Sequence, residues 1–121
     1  MDLQLKGKTA LVTGASMGIG RAIAKGLAAE GVKLCIGARR KALLEELSRE
    51  ITAAGGSHPA IVEIDIMTEG APSRLTRDAL DALGHIDILV NSAGGSKPPL
   101  PIDAPEAQWE EAMTLNFTRI R

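Results

Sequence analysis

Lys8-Thr9-Ala10-Leu11-Val12-Thr13-Gly14-Ala15-Ser16-Met17-Gly18-Ile19-Gly20-Arg21 is the stretch from which the fold follows. A β-branched and apolar run from Lys8 to Val12 breaks at Gly14, and Ile19, Ile23 and Leu27 then recur every four residues as far as Glu30-Gly31. The run has the composition of a buried strand and the recurrence has the period of a helix face. Strand, glycine turn and helix are expected in that order.

The same alternation repeats outward from this unit. Val32 to Ile36 reads as a second strand, and Leu43, Leu44, Leu47, Ile51 and Ala54 stripe a second helix that Gly55-Gly56 ends. Ala60 to Ile66 reads as a third strand, and Leu75, Ala79 and Leu83 mark a third helix with Pro72 in its first turn and Gly84 closing it. Arg74/Asp78 and Arg77/Asp81 are spaced as exposed i,i+4 ion pairs. Ile86 to Val90 is the fourth strand, followed by a breaker-rich loop from Gly94 to Pro101. A last helix is expected to open at Asp103 as cap, with Pro105 in its first turn and Glu106 three residues on. Such β-α alternation implies right-handed crossovers and an α/β fold with a doubly wound parallel sheet. In the dinucleotide-binding order 3-2-1-4 the fourth strand lies at an edge although it is apolar on both faces, and no Gly, Asn or Pro ends the last helix. The sheet therefore reads as incomplete, the front part of a larger unit.

Composition narrows the functions open to such a domain. A length of 121 residues suits one domain that buries roughly two thirds of its unfolded surface. With 14 basic against 15 acidic side chains the net charge is -1, so the field that nucleic acid requires is missing. One cysteine and two histidines make neither an internal disulfide nor a soft metal cluster, and no metal ligands are assigned. The N-terminus lacks a signal-like pattern and no apolar run approaches the ~18 residues of a membrane span, which points to the cytoplasm and away from membranes. There is one Trp, one Phe and no Tyr, so a mechanism needing a tyrosine proton donor is not completed by these residues.

Glycine in the first turn permits positive φ and lets backbone N–H groups and a helix N-terminus approach a pyrophosphate, although a turn that only packs helix on strand has the same composition. The spacing Gly14-x3-Gly18-x-Gly20 is not GxGxxG, and the missing Gly-Lys-Ser/Thr excludes a P-loop. Arg39 and Arg40 follow strand two, where an acid would bind a ribose hydroxyl and an arginine a 2′-phosphate; the plain alternative is two solvated residues opening a helix. Asp65 and Asn91 end strands three and four at the ligand-binding edge of such sheets, and each singly also fits a turn residue. Asn116 shares a helical face with Trp109, Ala112, Met113 and Ile120, so its amide needs partners, either in the core or at a wet site. Cys35 reads as a core residue, His58 and His85 as solvent-facing loop residues without an acid partner, and Asp87 as a buried structural carboxylate.

Taken in order, these motifs resemble the N-terminal half of the short-chain dehydrogenase/reductase family. The likeness runs from Lys6 to the last residue and is nearest to members of the 3-oxoacyl carrier-protein reductase kind. Thr13 to Gly20 is similar to the family's TGxxxGxG loop, Asp65-Ile66 to its adenine-contacting pair, Asn91-Ser92-Ala93-Gly94 to its NNAG, and Asn116 to its active-site asparagine. The resemblance implies an NAD(P)-binding Rossmann fold over residues 1–121, with a catalytic serine and a Tyr-x-x-x-Lys motif beyond the given sequence. Cofactor contacts would come from Gly14, Ser16, Met17, Gly18, Ile19, Gly20, Arg39, Arg40, Asp65, Ile66, Asn91, Ala93 and Gly94, and the catalytic residue present would be Asn116. It implies hydride transfer between NADP, with NAD as the second choice, and a small carbonyl or alcohol substrate. A homo-oligomer, tetramer or dimer, is implied too, with the last helix in the subunit contact. Two positions depart from the pattern: Met17 stands where NADP-preferring members often have Lys or Arg, and Ser92 replaces the second Asn of NNAG. The alternative reading is a truncated, noncatalytic dinucleotide-binding module; an extended dehydrogenase fits the glycine spacing less well.

Overall fold

The structure is a computed structural model that describes residues 2–94 and 101–121. Strands β1 (Thr9–Thr13), β2 (Lys33–Ala38), β3 (Ala60–Glu63) and β4 (Ile88–Asn91) alternate with helices α1 (Gly18–Ala29), α2 (Lys41–Ala53), α3 (Ala71–Leu83) and α4 (Glu106–Met113). A π-helical turn over Thr114–Thr118 prolongs α4. The sheet is parallel in the expected order β3-β2-β1-β4, with Thr13 beside Gly37 on one side and Asn91 on the other.

Alternation along the strands divides the core into two layers. Ala10, Val12, Leu34 and Ile36 pack against Ala24 and Ala28 of α1 and Leu44, Leu47 and Ile51 of α2. Leu11, Cys35, Val62 and Ile64 meet Ala71, Leu75 and Ala79 of α3 on the opposite face. Both faces of β1 and β2 are thus covered, which is why these two strands are continuously apolar. Cys35 is wholly buried, and that burial, with Asp78 nearby, pushes its thiol pKa up to about 11. An ion-pair cluster ties α1 to α2: Arg21 lies 2.6 Å from Glu50 and 3.6 Å from Glu46, and Lys25 lies 3.6 Å from Glu50.

The structure corrects several local expectations. Strand β3 stops at Glu63 because its partner β2 ends at Ala38; the Ile64 N–H takes the Ala38 carbonyl at 2.9 Å, and Asp65 lies beyond the ladder. Strand β4 begins at Ile88; before it, the Asp87 N–H reaches the Thr9 carbonyl at 3.1 Å while the Asp87 carboxylate, in place of a backbone carbonyl, accepts the Thr9 N–H at 3.0 Å. Asp87 is exposed, not buried, and His85 does have an acid partner, its Nε2 lying 3.2 Å from the Asp87 carboxylate. His58 is exposed, with Nδ1 3.2 Å from the Ser48 hydroxyl.

Helix α3 keeps its proline start and its Gly84 stop, but the i,i+4 ion pairs do not form among the described residues. Arg74 donates instead to the Glu63 carbonyl at 2.9 Å, a bond that prevails because exposed helix pairs stabilise by only about 0.3–0.5 kcal/mol. Asp103 caps nothing. Pro105 disfavours helical geometry at the residue before it, so α4 starts only at Glu106, with Pro105 extended at the boundary and no side-chain cap. Of the breaker-rich loop, residues 95–100 lie outside the described residues. Among those described, no helix is long and apolar enough to cross a membrane, and no cluster of three or more His, Cys, Asp or Glu side chains could hold a metal.

Candidate functional site

A cavity of about 690 Å³ opens at the carboxyl ends of the strands. Its floor is the β1–α1 turn. Gly14 has a φ of +64°, and a Cβ there would lie 2.6 Å from the Ser92 carbonyl carbon and oxygen, so the turn and the segment after β4 touch through backbone. A Cβ at Gly20 would strike the Gly14 carbonyl oxygen, so the first turn of α1 can pack on the loop only as glycine. Met17 precedes α1 in extended conformation and no side chain caps the helix, which leaves its first-turn N–H groups without a side-chain acceptor.

Thr13 joins the two strand ends. Its hydroxyl donates to the Val90 carbonyl at 3.3 Å and accepts the N–H groups of Ser92 and Ala93 at 3.2 and 3.4 Å. The sequence carried only a weak signal for this role, a hydroxyl residue at the end of an apolar strand one position before a glycine turn. Arg39 follows β2 directly and Arg40 precedes α2, both exposed, and neither is ion-paired among the described residues. Asp65 lines the cavity and also makes a turn with its own chain, accepting the Met67 N–H at 2.9 Å through Oδ1.

Of the residues picked out from sequence, Gly14, Ser16, Met17, Arg39, Arg40, Asp65, Ile66, Ala93 and Gly94 line this one cavity. Gly18, Ile19 and Gly20 do not; they begin α1 below its floor, with Ile19 exposed. Asn91 ends β4 opposite Thr13 without reaching the lining. Asn116 lies at the rim beside Gly94, where a Cβ on Gly94 would be 2.6 Å from Asn116 Oδ1, and its Nδ2 donates to the Ala112 carbonyl at 2.9 Å.

The wall from α4 differs from the expected one. Gln108, Glu111, Ala112 and Leu115, spaced i, i+3, i+4 and i+7, face the cavity. Trp109 and Met113 of the expected stripe are exposed because α4 turns Gln108, Glu111 and Ala112 to the cavity instead, and Asn116, within the π-helical turn that widens the period after Met113, is exposed as well. The cavity-facing stripe is half polar, so hydrophobic spacing could not single it out.

The cradle suits a dinucleotide. Its floor has no room for a side chain at Gly14, the helix packed beneath has none at Gly20, a helix N-terminus opens beside it, and two guanidinium groups without an ion-pair partner among the described residues follow the next strand.

A family profile described as short chain dehydrogenase matches residues 8–120. The 3-oxoacyl-[acyl-carrier-protein] reductase of Aquifex aeolicus is 36% identical over 124 residues, which cover 98% of this chain and 48% of that protein. The 7alpha-hydroxysteroid dehydrogenase of Escherichia coli is 38% identical over 115 residues, 95% of this chain and 44% of that one. A solved structure of a 7alpha-hydroxysteroid dehydrogenase complexed with NADH and 7-oxo glycochenodeoxycholic acid superposes with a TM-score of 0.90 at 36% identity, over 98% of this chain and 46% of the other. A dehydrogenase/reductase from Sinorhizobium meliloti gives a TM-score of 0.86 at 38% identity, over 94% of this chain and 45% of the other. The chain spans about half the length of the curated relatives it matches. With the profile matched along nearly all of its length and the strand order in agreement, the chain belongs to the short-chain dehydrogenase family.

Proposed function

We propose that this chain forms the cofactor-binding part of an NADP(H)-dependent oxidoreductase acting on a small carbonyl or alcohol substrate. The observation that carries the reading is one cavity in which the glycine floor, Arg39 and Arg40, neither ion-paired among the described residues, and the Asp65–Ile66 segment meet. The cofactor supplies the hydride when bound. The backbone around Gly14 and the start of α1 holds the pyrophosphate. Arg39, helped by Arg40, takes the 2′-phosphate with forked donors, and Asp65 and Ile66 border the adenine. Asn91, Ala93 and Gly94 lead from the cofactor toward Asn116 at the reacting end.

These 121 residues contain no tyrosine, so in this reading the serine and the Tyr-x-x-x-Lys group that handle the proton come from outside residues 1–121. Two relatives, one named for a 3-oxoacyl group and one for a hydroxysteroid, support a carbonyl or alcohol substrate. The exposed Trp109, Met113 and Phe117 lie at i, i+4 and i+8 along α4 and the turn after it, and they support a homo-oligomer, dimer or tetramer, with this face in the contact. The buried, unpaired thiol of Cys35 fits a cytoplasmic setting. Fluorescence titration with NADPH and NADH tests the reading: saturable binding, tighter for NADPH, is expected. Binding of neither overturns it.

A further inference from the structure

Arg119 reaches across the molecule to the cofactor side of the cavity. Its Nη2 donates to the Met67 carbonyl at 3.4 Å, joining residues 52 apart in sequence, while its Nε is buried and has no acceptor among the described residues. A buried donor left unanswered is unfavourable, so the bond from Nη2 to Met67 is the described hydrogen bond that fixes this side chain. Met67 belongs to a compact turn: its N–H bonds Asp65 Oδ1 at 2.9 Å, the Thr68 N–H bonds the Asp65 carbonyl at 3.0 Å, and Asp65, Ile66 and Met67 all line the cavity. The described hydrogen bonds of this loop to other elements are the Ile64 N–H on Ala38 at one end, the Ala71 and Arg74 N–H groups of α3 on Thr68 and Gly70 at the other, and between them the one Arg119 supplies. Arg119 also stands three residues after Asn116, one helical turn along the same segment.

We infer that Arg119 is a positioning residue that sets the Asp65–Met67 loop against the segment carrying Asn116, so that the adenine side of the cavity and its reacting end are held in register. The inference rests on the reading of the cavity as a dinucleotide site. The donor is charged, and its acceptor belongs to a loop with no other described hydrogen bond to the segment that carries Asn116. The adenine end is common to both dinucleotides, so this contribution is blind to the 2′-phosphate.

The test compares the wild type with Arg119→Met and Arg119→Lys by NADPH and NADH titration and by thermal melting. Arg119→Met is expected to weaken both dinucleotides by the same factor, about three- to tenfold as befits one hydrogen bond, with a nearly unchanged Tm. Arg119→Lys should recover most of the loss, because its ammonium can donate to the same carbonyl. A wild type that binds while Arg119→Met binds equally well overturns the inference alone. So does a loss confined to NADPH, which would make Arg119 a phosphate ligand, or an equal loss in both variants with a lowered Tm, which would make it only structural. A wild type that binds neither dinucleotide overturns the reading of the site and the inference with it.

Discussion

Asp87 accepts the Thr9 N–H at 3.0 Å and the Thr9 hydroxyl at 3.3 Å, and chiefly that backbone donor, then His85, holds its carboxyl below its ordinary range against the opposing effect of desolvation. A carboxyl that gives up its proton more readily folded than unfolded stabilises the fold fully above its unfolded pKa, near ~4, and this contribution drains away as pH falls through the lower folded value. Asp87→Asn should therefore lower Tm at pH 7 and reduce the fall in Tm between about pH 4 and 2. Parallel melting curves for the two proteins over that window would reject the linkage. At the other end of the sheet, Arg39 is exposed and unpaired among the described residues, so reversing its charge removes attraction for a 2′-phosphate without breaking a contact. Arg39→Asp is expected to shift the NADPH/NADH affinity ratio toward NADH by about tenfold or more, the scale of one charge-assisted pair. An unchanged ratio in paired titrations would remove Arg39 from phosphate recognition. Residue type and position made Arg39 and Asp65 legible from sequence. The partners of Asp87 and Thr13 were not, because Asp87 and Thr9 lie 78 residues apart and meet only when β4 pairs with β1.

Helix α1 holds two glycines whose environments differ. A Cβ at Gly20 meets the backbone of Gly14, whereas one at Gly26 meets nothing within 4 Å. Gly26→Ala should stabilise the protein by about 0.4–1 kcal/mol, because alanine narrows the unfolded ensemble and suits a helix interior. Gly20→Ala should destabilise it by about 1–3 kcal/mol through forced backbone displacement, and weaken dinucleotide binding as the turn shifts. Urea melts of the two variants check this pair; equal effects would mean that the close approach to Gly14 carries no energetic weight. The apolar stripe of α2 was readable in advance, whereas α1 buries Gly20, Ala24 and Ala28, one position on from the expected Ile19, Ile23 and Leu27. In α2, Leu44, Leu47 and Ile51 are buried as their spacing required. Helix α4 was not, since none of its residues is fully buried, Pro105 delays its start and the π-helical turn breaks the 3.6-residue period just before Asn116.

At the scale of the whole molecule, ligand and stability are linked, because a dinucleotide that binds only the folded state adds to its free energy. At a hundredfold excess over Kd the gain is about 2.7 kcal/mol, read as a rise in Tm, and NADPH should raise Tm more than NADH at equal concentration. No rise with either would overturn the assignment of the cavity. Strand β4 forms one border of the four-stranded sheet with Leu89 56% exposed, an apolar edge of the kind that proteins normally cover. The sequence by itself determined the parallel α/β architecture, the strand order and most of the motifs that line the cavity, because these depend on short-range periodicity and on glycines that only certain backbone geometries require. Only the tertiary structure decided which face of α4 meets the cavity, that Thr13 and Asp87 lock β1 to β4, and that Arg119 reaches Met67. Those relations depend on distances between residues far apart in the chain, and local pattern does not encode them.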